Sequence, residues 1–347
     1  MAQKNIRLSV LDQSPVRKGA TAAEALQETF ALAKLADELG YHRYWLAEHH
    51  NTSALAGTTP ELLIGLVAEK TSQIRVGSGG IMLPNHSALK VAESFRMLEV
   101  LYPNRIDLGM GRAPGTDRIT ASVLNPSNTF SEQSFIEQLY ELQHYFHDTY
   151  EPNTIQEKVK AYPNPPTVPP MWLLSSSGQS GVFAAHFGMG FSFAHFINPV
   201  GGPEAVQMYR DRFKPSADLK VPEVNAAFFV FISEDKEKVQ RQQAVMDHRF
   251  ISLERGGRLD PIAYDDVKNV QYTLAEQERI RVNRRRTITG SPEKVNAELT
   301  SWAEKYDIDE LMAVTICEDF EDRLESYRLL KEISLVKEGQ TEAANSN

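Results

Sequence analysis

Two hydrophobic periods alternate along this chain. Short runs that are apolar nearly throughout read as strands buried on both faces, and longer stretches with apolar residues every three or four positions read as amphipathic helices. Ile6–Leu11 is the first strand and ends in Asp12-Gln13-Ser14-Pro15. Thr21 and Glu24 make the capping-box pair of a helix whose apolar face is Leu26, Phe30, Ala33, Ala36 and Leu39, and Gly40 stops it. The run Arg-Tyr-Trp-Leu-Ala-Glu-His-His, 43–50, is a second buried strand that ends in charge and imidazole. Thr59-Pro60-Glu61 opens the next helix with proline at its first position. Ile74–Leu83 is the third strand, Ala88–Leu101 a helix stopped by Pro103, and Arg105–Met110 the fourth strand. After a loop, Glu132–His147 is a long helix with Phe135, Leu139, Leu142 and Phe146 on one face, followed by a polar, proline-rich excursion over 149–170. Four more strands follow, Met171–Leu174, Gly190–Ile197, Val224–Ile232 and Glu310–Ile316. Helices over Gly181–Phe187, Pro203–Phe213, Lys236–Glu254, Ser291–Trp302 and Arg323–Val336 lie between and after them.

Eight strands separated by helices imply an α/β protein built as a (β/α)8 TIM barrel with insertions, a single domain over 1–337. The polar segment 256–288 reads as a possible mobile insertion, and 338–347 as a disordered tail. A doubly wound open sheet is the competing architecture. Its glycine-rich strand exits are present at Gly77-Gly79-Gly80 and Gly109-Gly111, but neither fits the G-x-G-x-x-G spacing of a dinucleotide turn.

Composition narrows the function classes. Across 347 residues the formal net charge is -9, which argues against a nucleic-acid or anionic-membrane partner. The basic run Arg284-Arg285-Arg286 reads as a solvated segment. Cys317 is the one cysteine, so an intramolecular disulfide and a cysteine-cluster metal site are both excluded. The start of the chain lacks a signal-type apolar core and no apolar run is long enough to span a bilayer, so a cytoplasmic protein is expected.

In a parallel α/β barrel the strand exits converge on one mouth, and ligands bind there. The exits supply Asp12, Glu48, His49, His50, Gly79, Gly80, Arg112, Ser176, Ser177 and His195. Arg112 with Ser177 and Ser180 has the chemistry of an anion clamp, hydroxyls and a helix start beside a guanidinium. The alternative is that the serines are plain N-caps and Arg112 pairs with Asp107 or Asp117. Adjacent residues on a strand face opposite ways, so one of His49 and His50 enters the mouth. There it is a general base or hydrogen-bond donor, a structural histidine, or, with Glu48 and Asp12 oxygens, a metal ligand. No H-x-x-x-H or cysteine partner favours the metal, and none is expected. Gly79-Gly80 marks a bulge or a close approach of backbone to a flat ligand, or else packing against a large neighbour.

Through these residues the chain resembles the luciferase-like flavin monooxygenases, the family of bacterial luciferase. The resemblance runs from Leu8 to about Leu330. It is carried by Tyr-Trp-Leu-Ala-Glu-His-His at 44–50, Val-Gly-Ser-Gly-Gly-Ile-Met-Leu-Pro at 76–84, Arg-Ile-Asp-Leu-Gly-Met-Gly-Arg-Ala-Pro-Gly at 105–115 and Gly-Ser-Pro-Glu-Lys-Val at 290–295. The resemblance implies a (β/α)8 barrel and bound FMN, with reduced FMN as the active species, supplied by a separate NAD(P)H-dependent flavin reductase. It implies a monooxygenase that takes O2 and a small organic substrate through a C4a-(hydro)peroxyflavin, and a homodimer packed through the helices after the second and third strands. Arg112, Ser177 and Ser180 fall on the family's phosphate contacts, and Gly79-Gly80 on a non-prolyl cis peptide against the flavin ring. His49 falls on its active-site histidine, with Glu48 the carboxylate beside it. Two positions depart from luciferase: Ser176 replaces a glutamate near the phosphate, and His195 replaces a tryptophan of the flavin wall. The segment 256–286 falls where luciferase has a mobile lid. Two other readings stay open, a deazaflavin (F420)-dependent hydride-transfer enzyme and a flavin-binding protein without turnover.

Overall fold

A computed structural model describes residues 3–150, 152–333 and 335–338. Eight parallel strands close into a barrel, Arg7–Asp12, Arg43–Leu46, Arg75–Ser78, Ile106–Gly111, Met171–Ser175, Gly190–Ala194, Val224–Ile232 and Glu310–Val314. Each pairs with the next in chain order. The ring closes because Glu310–Val314 pairs with both Val224–Ile232 and Arg7–Asp12. Helices cover the outside.

The alternation of side chains along each strand builds two cores. Tyr44 and Leu46 point outward into the layer between strands and helices, with Val76, Leu108 and Phe191. Trp45 points inward, beside Leu11, Trp172, Phe196, Ala227 and Met312. Below this apolar interior the N-terminal end of the barrel is ionic. Arg43 lies between Asp107 (2.8 Å) and Glu310 (3.0 Å), and Arg75 closes on the far oxygen of Asp107 at 2.6 Å. The barrel is therefore plugged by charge at one end and by indole rings at the middle, and a cavity opens at its C-terminal end.

The first helix, Ala22–Glu38, begins with the expected Thr21–Glu24 capping box. Pro60 opens the helix Pro60–Lys70. Other details differ from expectation. The third strand, expected unbroken over 74–83, breaks at Gly79-Gly80 and resumes as the two-residue strand Ile81–Met82, while the peptide bond between the two glycines is cis, as the resemblance implies. A further parallel strand, Thr287–Gly290, extends along Val224–Ile232, and its four residues are too short to show a period in sequence. The loop before the long helix Glu132–His147 contains a short helix, Arg118–Leu124. The segment 256–288 carries helices Tyr264–Val267 and Leu274–Asn283. The arginine run after it is partly packed, with Arg284 bonded to Asp247 and Arg286 over the Phe250 ring. The last helix ends at Glu332, and Val336–Glu338 is a strand paired with Gln3–Asn5. Glu338, the first residue of the expected tail, thus lies in a strand, and 339–347 lie outside the described residues. Among the described residues no helix is long and apolar enough to cross a membrane.

Candidate active site

A cavity of about 380 Å³ opens at the C-terminal end of the barrel. That is within the roughly 300–1,000 Å³ of small-molecule and cofactor sites. Its inner wall is apolar, from Leu11, Leu174, Phe196, Ala227 and Met312, with Gln13 and Ser192 the uncharged polar exceptions. Of the candidates named from the sequence, all but Asp12, His50 and His195 reach it. Glu48, His49, Gly79, Gly80, Arg112, Ser176, Ser177 and Ser180 all border this one space.

His195 does not. The chain alternates, so Ser192 and Ala194 face the cavity and His195 turns outward, fully buried beneath the helix Pro292–Tyr306. Its Nε2 lies 3.0 Å from the Arg285 carbonyl, which only accepts. Nδ1 therefore accepts from the Tyr306 hydroxyl at 2.9 Å. Burial pushes the ring down to about 4. The expected place of His195 on the wall of the mouth is corrected: Phe196, one residue on, borders the cavity, and His195 is a neutral packing histidine against Trp302 and Phe228.

Glu48 lies two residues past the end of the second strand and is fully buried. Its oxygens accept from His50 Nε2 at 2.8 Å, from the Met82 backbone N–H at 2.8 Å, from Asn85 Nδ2 at 3.1 Å and from His86 Nε2 at 2.9 and 3.0 Å. Burial works to raise this carboxyl, but these donors outweigh it and hold it down to about 2. His49 is half-buried, held by its backbone N–H on the Gly57 carbonyl at 3.0 Å. Its Nδ1 is buried without a hydrogen-bond partner among the described residues. Burial, only partly opposed by Glu48, pushes its ring down to about 4, so it is neutral near pH 7.

Gly79 and Gly80 have no room for side chains. A Cβ on Gly79 would meet Trp45 Cβ at 2.9 Å, and one on Gly80 the Gly109 carbonyl at 2.7 Å. Packing alone thus demands both glycines. Across the cavity Arg112 donates to Gln179 Oε1 at 2.8 Å and lies 3.4 Å from Glu132. Gln179 also donates to Glu132. Ser177 is the N-cap residue of the helix Gly178–Phe187 and makes no side-chain cap bond there, and Ser180 is buried in its first turn. Hydroxyls, a helix N-terminus and a guanidinium therefore meet at one rim.

Sequence reasoning missed Asn85, His86, Glu132 and Gln179. The first two stand in Pro84-Asn85-His86, just past the Gly79-Gly80 strand, and the polar pair at a strand exit is a signal that was there to read. Glu132 and Gln179 reach the rim only through the packing of two helix starts. Asp12, an expected mouth residue, is fully buried in a pair with Arg323 at 2.7 Å and takes the Tyr44 hydroxyl at 2.6 Å.

Residues 6–307 match the sequence profile of the luciferase-like monooxygenases. An uncharacterized protein of Bacillus subtilis, YwcH, is 46% identical over 94% of this chain and 98% of its own. An N-acetyl-S-alkylcysteine monooxygenase of the same organism is 35% identical over 95% and 98%. Among solved structures apo-MsnO8 superposes with a TM-score of 0.85 at 37% identity, over 94% of this chain and 98% of that one. With the closed eight-stranded barrel, the cis Gly79-Gly80 and a match spanning nearly the whole length, the chain belongs to the luciferase-like monooxygenase family.

Proposed function

We propose that the protein is an FMN-dependent monooxygenase that works on a small organic substrate with O2, taking reduced FMN from a separate NAD(P)H-dependent flavin reductase. The observation that carries this reading is the convergence on one cavity of the neutral His49 and, at the rim, Arg112 with Ser177 and Ser180. The donor set fits a flat, phosphorylated cofactor: an apolar interior for a ring system and an anion rim for a phosphate. Arg112, Ser176, Ser177, Ser180 and the helix N-terminus hold the phosphate, and the Gly79-Gly80 backbone supports the ring. Bound reduced FMN supplies the electrons that activate oxygen. The protein orients the ring, excludes water with Leu11, Phe196 and Met312, and offers one proton or hydrogen bond from His49. A related protein is named for N-acetyl-S-alkylcysteines, so thioethers of that type head the substrate screen.

The test is an anaerobic titration with reduced FMN, followed by rapid mixing with oxygenated buffer. Binding followed by a transient absorbance distinct from oxidised flavin supports the monooxygenase. Immediate reoxidation supports a dehydrogenase or a flavin carrier. Family members work with FMN or with F420, so binding of F420 in place of FMN supports hydride transfer. Arg112→Ala is expected to weaken FMN by ~10-fold or more, the scale of lost hydrogen bonds to a charged group, and to leave riboflavin affinity unchanged. Equal losses for both would remove Arg112 from the phosphate site.

We further propose a homodimer through the helices Pro60–Lys70 and Ala88–Leu101, which leave Leu62, Leu66, Met97 and Leu101 exposed. Leu66→Glu is expected to give a monomer in sedimentation equilibrium, and an unchanged dimer would place the interface elsewhere.

A further inference from the structure

We propose that His86 is a positioning residue of this site: its imidazole locks the Glu48 carboxylate, and through it the strand exit bearing His49 and the segment bearing Gly79-Gly80 are held in one arrangement, most firmly while His86 keeps its second proton. The inference rests on the active-site reading above and extends it to residues outside the cavity's expected set.

The geometry is that of a two-sided clamp. His86 ends the turn Leu83–Asn85, and its Nε2 lies 2.9 and 3.0 Å from the two oxygens of Glu48. A carboxylate only accepts, so Nε2 is the protonated nitrogen in either charge state. Glu48 also takes the Met82 backbone N–H, Asn85 and His50. A carboxylate has roughly four acceptor sites, and these donors fill them. Glu48 therefore has no spare lone pair with which to take a substrate proton, and it acts by holding its neighbours. On one side it stands at the exit of the strand that delivers His49, and on the other it ties Met82, two residues past the cis glycines.

The outer side of the turn is fixed independently. Gln138 Nε2 donates to the Leu83 and His86 carbonyls at 3.2 and 2.7 Å, and Asn125 and Asn128 both donate to the Pro84 carbonyl. The turn is thus anchored by neutral amides to the helix Glu132–His147 and the loop before it, and to the barrel's interior by an ion pair. The carboxylates facing His86 are Glu48 and Glu61 from the helix Pro60–Lys70, and the imidazole of His50 lies across the shared Glu48 carboxylate. Burial lowers the His86 ring, but the bond to Glu48 and the fields of Glu48 and Glu61 leave it above the ordinary histidine value of 6.5. A raised histidine contributes its ion pair fully below the ordinary value and loses it as pH rises through the raised one. The clamp is therefore expected to slacken on the alkaline side of neutrality.

The experiment compares wild type with His86→Gln, whose amide still donates to Glu48 but does not titrate. Affinity for oxidised FMN is read from pH 7 to 9, above the phosphate's own second pKa of about 6. Wild-type affinity is expected to fall several-fold with rising pH, and that of the variant to stay flat. In parallel, the His86 ring proton resonance of the wild-type protein is followed by NMR. Its midpoint is expected above that of an ordinary histidine, and to drop in Glu48→Gln. A variant that keeps the wild-type pH dependence overturns the proposal, as does a His86 midpoint at or below the ordinary value. Failure of both oxidised and reduced FMN to bind wild type at any pH would instead sink the flavin reading, and the NMR titration still decides the clamp.

Discussion

Replacing His49 with alanine is expected to leave FMN affinity within a few fold and to lower turnover by ~100-fold or more, the usual scale for a general acid–base group. His49 borders the cavity, and its Nδ1 is the buried ring nitrogen with no hydrogen-bond partner among the described residues. A buried orphan nitrogen costs free energy that only a ligand or a water offsets, which is the pattern of a group kept free for chemistry. Burial holds the ring down to about 4. It is thus neutral through the physiological range, able to donate or accept but not to act as a cation. Wild-type turnover should show no loss from His49 protonation until pH falls towards about 4. The check is product formation with reduced FMN and whichever substrate the screen identifies, in both proteins, across pH. Equal turnover in the variant would remove His49 from the mechanism.

Arg43→Met is expected to destabilise the fold by ~3–5 kcal/mol, the cost of breaking a buried pair and leaving its partners charged. The Arg43 side chain is 5% exposed and is bonded to Asp107 and Glu310, both fully buried. Its guanidinium also lies 4.7 Å from the Trp172 ring centroid, and Trp172 meets Trp45 edge to face. Methionine keeps the hydrophobic stem but leaves Glu310 with the Ser9 hydroxyl at 2.7 Å and, as its nearest arginine, Arg7, half-exposed and 3.6 Å away. Urea unfolding with matched m-values measures the effect. A change under ~1 kcal/mol would mean that Arg7 or water takes over the charge. Because the indole pair rests on Arg43 and forms the layer beneath the cavity, the variant also tests whether the ionic plug supports the site. Weakened FMN binding at temperatures where the variant is folded would say that it does.

Much of this architecture was legible in the sequence because it is written in local periods. The strands Met171–Ser175 and Val224–Ile232 are apolar runs, and the Thr21–Glu24 box and Pro60 mark helix starts by chemistry that acts within a turn. The short strand Thr287–Gly290 escaped because four residues carry no measurable alternation, and its pairing with Val224–Ile232 is a long-range fact. His195 escaped for a related reason. Its place at a strand exit was right, but which way it points depends on where the strand's pleat ends, and Gly190–Ala194 ends one residue before it.

The sequence by itself determined the barrel, its order of strands and helices, and the group of residues at the strand exits, since each of these follows from patterning and from a resemblance carried by contiguous motifs. Tertiary structure alone decided what each polar side chain does there. Whether a carboxylate reacts or holds depends on how many donors surround it, and those around Glu48 come from two strand exits some thirty-odd residues apart. Whether Asp12 faces the mouth or a buried ion pair depends on Arg323, from the far end of the chain. Hydrogen bonds and burial are set by neighbours in space, and those neighbours exist only once the barrel has closed.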